Sequence, residues 1–69
     1  MNRYPLSLTR LPADTQHVTV NCAFRHEDHL EVDMHVRLTD GSLVRYVGPY
    51  YDSLRQDVAS AAISGMVTQ

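Results

Sequence analysis

Apolar and polar side chains alternate along two long stretches of the chain. The first covers residues 18–24, with Ala23 as its exception, and the second covers residues 30–38 without a break. A period of two is typical of a β-strand that has one face on a core and the other in water. A third apolar run, residues 43–47, completes three predicted strands.

The polar stretch between the second and third strands predicts a hairpin. It contains Asp40 and Gly41, and a glycine accepts the positive φ that a tight turn requires. A bulged three-residue loop keeps apolar residues on one face, whereas a two-residue turn would bring Arg45 onto it. The predicted pairs are Val36 with Val44 and Met34 with Tyr46.

The same spacing, applied to the first hairpin, sets the register of the first two strands. The predicted pairs are Val20 with Met34, Cys22 with Val32, and Phe24 with Leu30. Even-numbered side chains of the three strands are therefore expected on the inner face. Cys22 is expected there as a small buried hydrophobe.

Gly48 and Pro49 are expected to end the third strand, and a helix is expected to follow. One stripe of this helix would lie on the inner face of the sheet: Tyr50, Tyr51, Leu54, Val58, Ala61, Ala62 and Gly65. The predicted fold class is α+β, a three-stranded antiparallel β-meander with one C-terminal helix packed on one face. Residues 17–69 would form this compact βββα domain.

Residues 1–16 are expected to form an N-terminal arm or edge segment. Tyr4, Leu6 and Leu8 alternate with polar or turn-forming neighbours and would make a short extra edge strand, which Pro5 and Pro12 confine to the edge of the sheet. Neither this segment nor any other contains an apolar run of the roughly 18 residues that a membrane span requires. The chain is therefore expected to be cytoplasmic.

The polar side of the strands is the first candidate for a binding surface. Its interaction residues are predicted to be His29, Glu31, Asp33, His35, Arg37 and Arg45. Neighbours two apart on one strand lie roughly 7 Å apart, so Asp33 and His35 could share a metal ion with His17 or His29. An arginine beside them opposes a cation, and opposite charges across a sheet stabilise it without any metal. The sequence therefore predicts no metal ligand here.

The second half of the helix carries a second candidate surface. Ala59, Ile63, Met66 and Val67 fall on the side away from the sheet and would form an interaction or dimer strip. Two alternatives are a frayed C-terminal turn and an N-terminal arm that covers the strip with Leu6, Leu8 and Leu11.

Size and composition narrow the possible functions. A chain of 69 residues with a single cysteine has a marginal core and no internal disulfide. A partner subunit would supply the missing burial, so a homodimer is expected. No catalytic constellation or cofactor motif is present. The sequence therefore predicts a small non-enzymatic interaction protein, of accessory or inhibitor type, that binds and modulates a larger protein.

Two other functions compete with this prediction. One is a nucleic-acid-binding module that uses Arg25, Arg37 and Arg45 on the outer sheet face, although Glu31 and Asp33 would repel phosphates there. The net charge of −2 also argues against it. The other is a metal-binding protein built on Asp33 and His35.

Overall fold

The structure, a computed structural model, describes residues 8–68 and contains one sheet and one helix. The elements are β1 (Thr15–His26), β2 (His29–Leu38), β3 (Leu43–Pro49), α1 (Asp52–Ile63) and β4 (Val67–Thr68). The strand order is β3-β2-β1-β4; β1, β2 and β3 are antiparallel neighbours, and β4 runs parallel to β1. The predicted α+β class, with a three-stranded meander and one C-terminal helix, is confirmed.

The second hairpin has the predicted register. Val36 pairs with Val44 and Met34 with Tyr46. The three-residue loop 39–41 ends on Gly41, whose φ of +91° is in the region that favours glycine. The Ser42 amide donates to Asp40 Oδ1 at 2.8 Å, which holds the loop closed.

The first hairpin departs from the predicted register. Its turn has only two residues, 27 and 28, so that His26 pairs with His29 and Phe24 with Glu31. A bulge at Asn21 then restores the predicted register, and Val20 pairs with Met34. The sequence prediction for Cys22 and Phe24 is therefore wrong, because the bulge reverses the facing of every β1 side chain that follows it.

The core lies between the helix and the inner face of the sheet. Its buried side chains are Leu8, Val18, Val20, Val32, Met34, Val36, Leu38, Val44, Tyr46, Leu54 and Val58. The sheet side has the predicted even-numbered pattern except beyond the bulge. From the helix, only Leu54 and Val58 of the predicted stripe are buried, and Tyr51 is exposed.

The helix ends earlier than the apolar pattern predicted. Gly65 has a φ of +78°, its amide donates to the Ala62 carbonyl at 3.0 Å, and the Met66 amide donates to the Ala61 carbonyl at 2.9 Å. This pair of bonds is the Schellman arrangement that terminates helices at glycine. The chain then turns back, and the Val18 amide donates to the Met66 carbonyl at 2.8 Å to begin the pairing of β4 with β1.

This ending divides the predicted helix strip. Ala59 and Ile63 are exposed on α1, and the Ile63 side chain is 90% exposed. Met66 lies past the helix, and Val67 lies in β4, partly buried against the core. The four residues therefore do not form one helical surface, because Gly65 stops the helix before Met66.

The segment before β1 packs along the helix. Arg10 Nε donates to Asp57 Oδ2 at 2.8 Å, the Leu11 amide donates to the same oxygen at 3.0 Å, and Ser53 Oγ donates to the Thr9 carbonyl at 2.6 Å. Leu8 is buried in the core rather than paired in a strand. The rest of the predicted N-terminal strand, Tyr4 and Leu6, lies outside the described residues. Within residues 8–68, no helix is long and apolar enough to cross a membrane.

Candidate interaction surface

The sheet face opposite α1, called the outer sheet face below, carries the polar side chains of β2. No element within residues 8–68 covers it, since the helix packs on the other side. The sequence-predicted residues from β2 and β3 lie here: His29, Glu31, Asp33, His35, Arg37 and Arg45. His35 has Thr19 of β1 on one side and Arg45 of β3 on the other.

Three of these side chains, Asp33, His35 and Arg45, form a hydrogen-bonded network with Asn21 of β1 at the centre of the face. Arg45 Nε donates to Asp33 Oδ1 at 3.0 Å and Arg45 Nη2 donates to Asp33 Oδ2 at 2.7 Å, a two-pronged ion pair. Asn21 Nδ2 donates to Asp33 Oδ1 at 3.1 Å and lies 2.9 Å from His35 Nδ1. Asn21, the bulge residue, thus joins the carboxylate to the histidine. β1 supplies the amide, β2 supplies the carboxylate and the imidazole, and β3 supplies the guanidinium.

The hydrogen bonds from Arg45 and then Asn21 lower the pKa of Asp33 to about 2. Its carboxylate is therefore ionised at any physiological pH, and both of its oxygens already accept hydrogen bonds. A cation at Asp33 would have to displace a guanidinium, which disfavours the metal-binding alternative. Among residues 8–68, no three His, Cys, Asp or Glu side chains are grouped so that they could hold a metal ion.

Acid is expected to abolish the stabilisation that this ion pair supplies. Since the pKa of Asp33 is lower in the folded state than in the unfolded chain, the contribution is complete above about pH 4 and is lost as the pH falls toward 2. Asp33→Asn should melt at a lower temperature than the wild type at pH 7, and the two curves should converge near pH 2. Thermal melts followed by circular dichroism at fixed protein concentration measure this. A constant gap between the two proteins across that range would contradict the ion-pair contribution.

His29 forms a second polar cluster at the first turn. Its Nε2 lies 3.0 Å from Glu31 Oε2 and its Nδ1 lies 3.1 Å from Asp28 Oδ1. These hydrogen bonds, first with Glu31 and then with Asp28, raise the pKa of His29. The His26 ring meets the His29 ring edge-on, with centroids 5.6 Å apart. The histidines of this turn are thus engaged with neighbouring acids and with each other.

Apolar side chains flank the charged centre on both sides. Phe24 of β1 is 44% exposed, whereas Leu43 and Val47 of β3 are 59% and 54% exposed. The thiol of Cys22, beside Asp33 across the strands, is exposed as well. Sequence reasoning missed Phe24 and Cys22, although Asn21 inside a predicted strand and the out-of-pattern Ala23 were the available signals of a bulge.

The arginines of the nucleic-acid alternative do not share one face. Arg37 is exposed on the outer sheet face, and Arg45 there is paired with Asp33. Arg25 follows the bulge and lies on the helix side, where it lines an open depression of about 590 Å³ with Tyr50, Tyr51 and other residues. The predicted placement of Arg25 is therefore wrong, for the same reason as that of Phe24.

No family model, curated protein or solved structure matches this chain. The chemistry of the outer sheet face is therefore the main indication of function. That face combines a pre-arranged ionic centre, an apolar flank on each side, and an exposed guanidinium at Arg37.

Proposed function

We propose that the protein is a small non-enzymatic interaction protein that binds and modulates a larger protein through its outer sheet face, as a homodimer. One observation carries the proposal. No element within residues 8–68 covers this face, yet hydrogen bonds hold its central side chains in fixed positions. Phe24, Leu43 and Val47 expose apolar surface around the network of Asp33 and Arg45. Several exposed apolar side chains together with polar ones on one face mark many protein-binding surfaces.

The central network favours tight and specific recognition. The guanidinium of Arg45 and the amide of Asn21 are held by the same carboxylate. Side chains that are ordered before binding lose less conformational entropy when a partner docks. The free donors of the guanidinium and the exposed ring of Phe24 would then meet the partner without rearrangement.

The charge pattern favours a protein over a nucleic acid. Asp33 offsets the charge of Arg45, and Glu31 adds a carboxylate to the same face. A phosphate backbone attracts surfaces with an excess of cations, which this face lacks. A protein surface that carries both charges and apolar groups is the better complement.

Capture of a partner from a nuclease-treated lysate of the source cells tests the proposal. Phe24→Arg places a charge on the apolar flank opposite Glu31, where the fold tolerates it because opposite charges across strands are favourable. Ile63→Arg is the matched control, since it replaces an equally apolar and more exposed side chain on the helix. We expect a protein that is retained by the wild type and by Ile63→Arg, and reduced at least about tenfold by Phe24→Arg, which is the loss of one well-packed anchor.

Two results would contradict the proposal. A partner retained by Phe24→Arg and lost with Ile63→Arg would move the binding surface to the helix. A partner that is retained from an untreated lysate but not from the nuclease-treated one would favour the nucleic-acid alternative. Circular dichroism of both variants checks that each is folded before the capture is compared.

A further inference from the structure

The free edge of β3 is the least protected part of the sheet. β3 is the outermost strand on its side, and no strand within residues 8–68 pairs with its outer edge. It contains no lysine and no bulge, and its proline lies at its last position. Natural sheets normally protect such an edge or pair it, because unpaired backbone groups act as a template for another strand.

The hydrogen-bond alternation shows which residues face this edge. The Leu38 amide donates to the Ser42 carbonyl and the Tyr50 amide donates to the Leu30 carbonyl, both at 2.8 Å. These bonds flank β3, so its even-numbered residues bond to β2 and its odd-numbered residues point their N–H and C=O groups outward. The outward residues are Leu43, Arg45 and Val47.

The opposite side of the sheet does not offer an equivalent edge. β4 covers β1 at Val18 and Thr19, and the bulge at Asn21 interrupts the edge that follows. Bulges of this kind prevent regular pairing with another strand. Within residues 8–68, β3 (Leu43–Pro49) therefore presents a longer regular run of unpaired edge than the part of β1 beyond the bulge, residues 22–26.

We propose that the free edge of β3 pairs antiparallel with the same edge of a second copy, so that two sheets join into one. This inference rests on the proposed function, whose dimer it specifies. The strand is self-complementary about Arg45: Leu43 would lie opposite Val47 of the partner subunit, and Val47 opposite Leu43 of the partner subunit. Three residues of each copy would then exchange about six backbone hydrogen bonds.

The side chains fit this register on both faces. Leu43 and Val47, which are both more than half exposed, would bury their apolar surfaces against each other on the outer sheet face. On the inner face, Val44 would lie beside Tyr46 of the partner subunit. The joined sheet would carry two copies of the outer sheet face, each with an exposed Phe24 for the proposed partner.

The two central arginines do not oppose the pairing. Each would lie beside the other across the two-fold axis, where like charges are unfavourable. Arg45 Nε and Nη2 both donate to the Asp33 carboxylate on β2, at 3.0 and 2.7 Å. The guanidinium is therefore drawn toward β2 and away from the free edge, and its charge is offset within its own copy.

Val47→Pro tests the pairing at a single backbone donor. The Val47 amide points outward, so proline removes a donor that the β2–β3 ladder does not use. Val47→Thr is the matched control, because it keeps both the donor and the branched side chain. Sedimentation equilibrium of the full chain should show a wild-type dimer whose dissociation constant rises at least about tenfold with Val47→Pro and changes less than about threefold with Val47→Thr.

The single cysteine supplies a second measurement that needs no change in β3. A nitroxide on Cys22 reports the distance between the two copies by pulsed electron paramagnetic resonance. Five strand spacings of about 4.8 Å, with a four-residue offset of about 3.4 Å per residue, place the two Cys22 Cα atoms about 28 Å apart. Pairing through β1 instead, with the two Cys22 residues opposite each other, would place their Cα atoms about 5 Å apart.

The outcomes separate this inference from the proposed function. A wild-type protein that stays monomeric, a folded Val47→Pro variant that dimerises as tightly as Val47→Thr, or a short Cys22 distance would overturn the pairing. If Val47→Pro does not fold, two other measurements test the pairing. They are the Cys22–Cys22 distance and the dissociation constant of Ile63→Arg, which should equal that of the wild type. A monomer that still captures a partner through Phe24 refutes the pairing and the homodimer but leaves the binding role, whereas a β3-paired dimer that captures nothing refutes only the binding role.

Discussion

Leu54→Ala is expected to lower the free energy of unfolding by about 2–5 kcal/mol, the usual cost of truncating a fully buried leucine. Leu54 is completely buried between α1 and the sheet. Because domains are stabilised by only about 0.05–0.15 kcal/mol per residue, this chain of 69 residues has a total of roughly 3–10 kcal/mol. The substitution therefore removes a large part of the stability, and part of the population should be unfolded at 37 °C.

Urea denaturation followed by circular dichroism measures this loss, at one fixed protein concentration, since association would stabilise the folded state. Ile63→Ala is the matched control on the same helix, because its side chain is 90% exposed. It should change the free energy of unfolding by no more than about 0.5 kcal/mol. Equal losses in the two variants would mean that α1 does not pack on the sheet through Leu54.

The thiol of Cys22 is expected to react with a disulfide reagent in the folded protein within about tenfold of its rate in the unfolded chain, because the side chain is exposed on the outer sheet face. A thiol in the core would react only through opening of the fold. An opening free energy of about 4 kcal/mol slows such a reaction by roughly 10³-fold. An exposed Cys22, as the register of the first hairpin places it, should thus react orders of magnitude faster than a Cys22 buried in the core.

A second cysteine position provides the comparison. In the double variant Cys22→Ser, Val20→Cys, the thiol sits two residues earlier on β1, before the bulge and in the buried pattern. We expect this thiol to be protected until urea unfolds the protein. Rapid labelling at both positions would indicate a frayed β1. Protection at both positions would mean that Cys22 lies in the core and that β1 has no bulge at Asn21.

The difference between these two positions arises from turn geometry. Alternation along β1 reads as one strand from Val18 to Phe24, and the predicted three-residue turn would have kept Phe24 inside. The two-residue turn shifts the pairing by one, so that Phe24 meets Glu31. Asn21 absorbs the shift and bonds to Asp33, which makes the bulge part of the central network. Local alternation cannot determine this, because the bulge depends on the pairing partner.

The end of the helix provides a second example. Apolar residues continue past Ile63 at a helical spacing, which predicted one long strip. Gly65 adopts a positive φ and stops the helix, and Val67 then joins the sheet beside Val18. Glycine after the last helical turn is a recognised stop signal. The parallel pairing of β4 had no such local signal, because β1 lies almost fifty residues earlier in the chain.

The sequence by itself determined the class of fold, the second hairpin and the polar face of β2. These features depend on periodicity and on the chemistry of Gly41, which act over a few neighbouring residues. Only the tertiary structure decided the bulge at Asn21, the exposure of Cys22 and Phe24, and the strand at Val67. Those features follow from contacts between distant segments, where packing and cross-strand hydrogen bonds outweigh the local pattern.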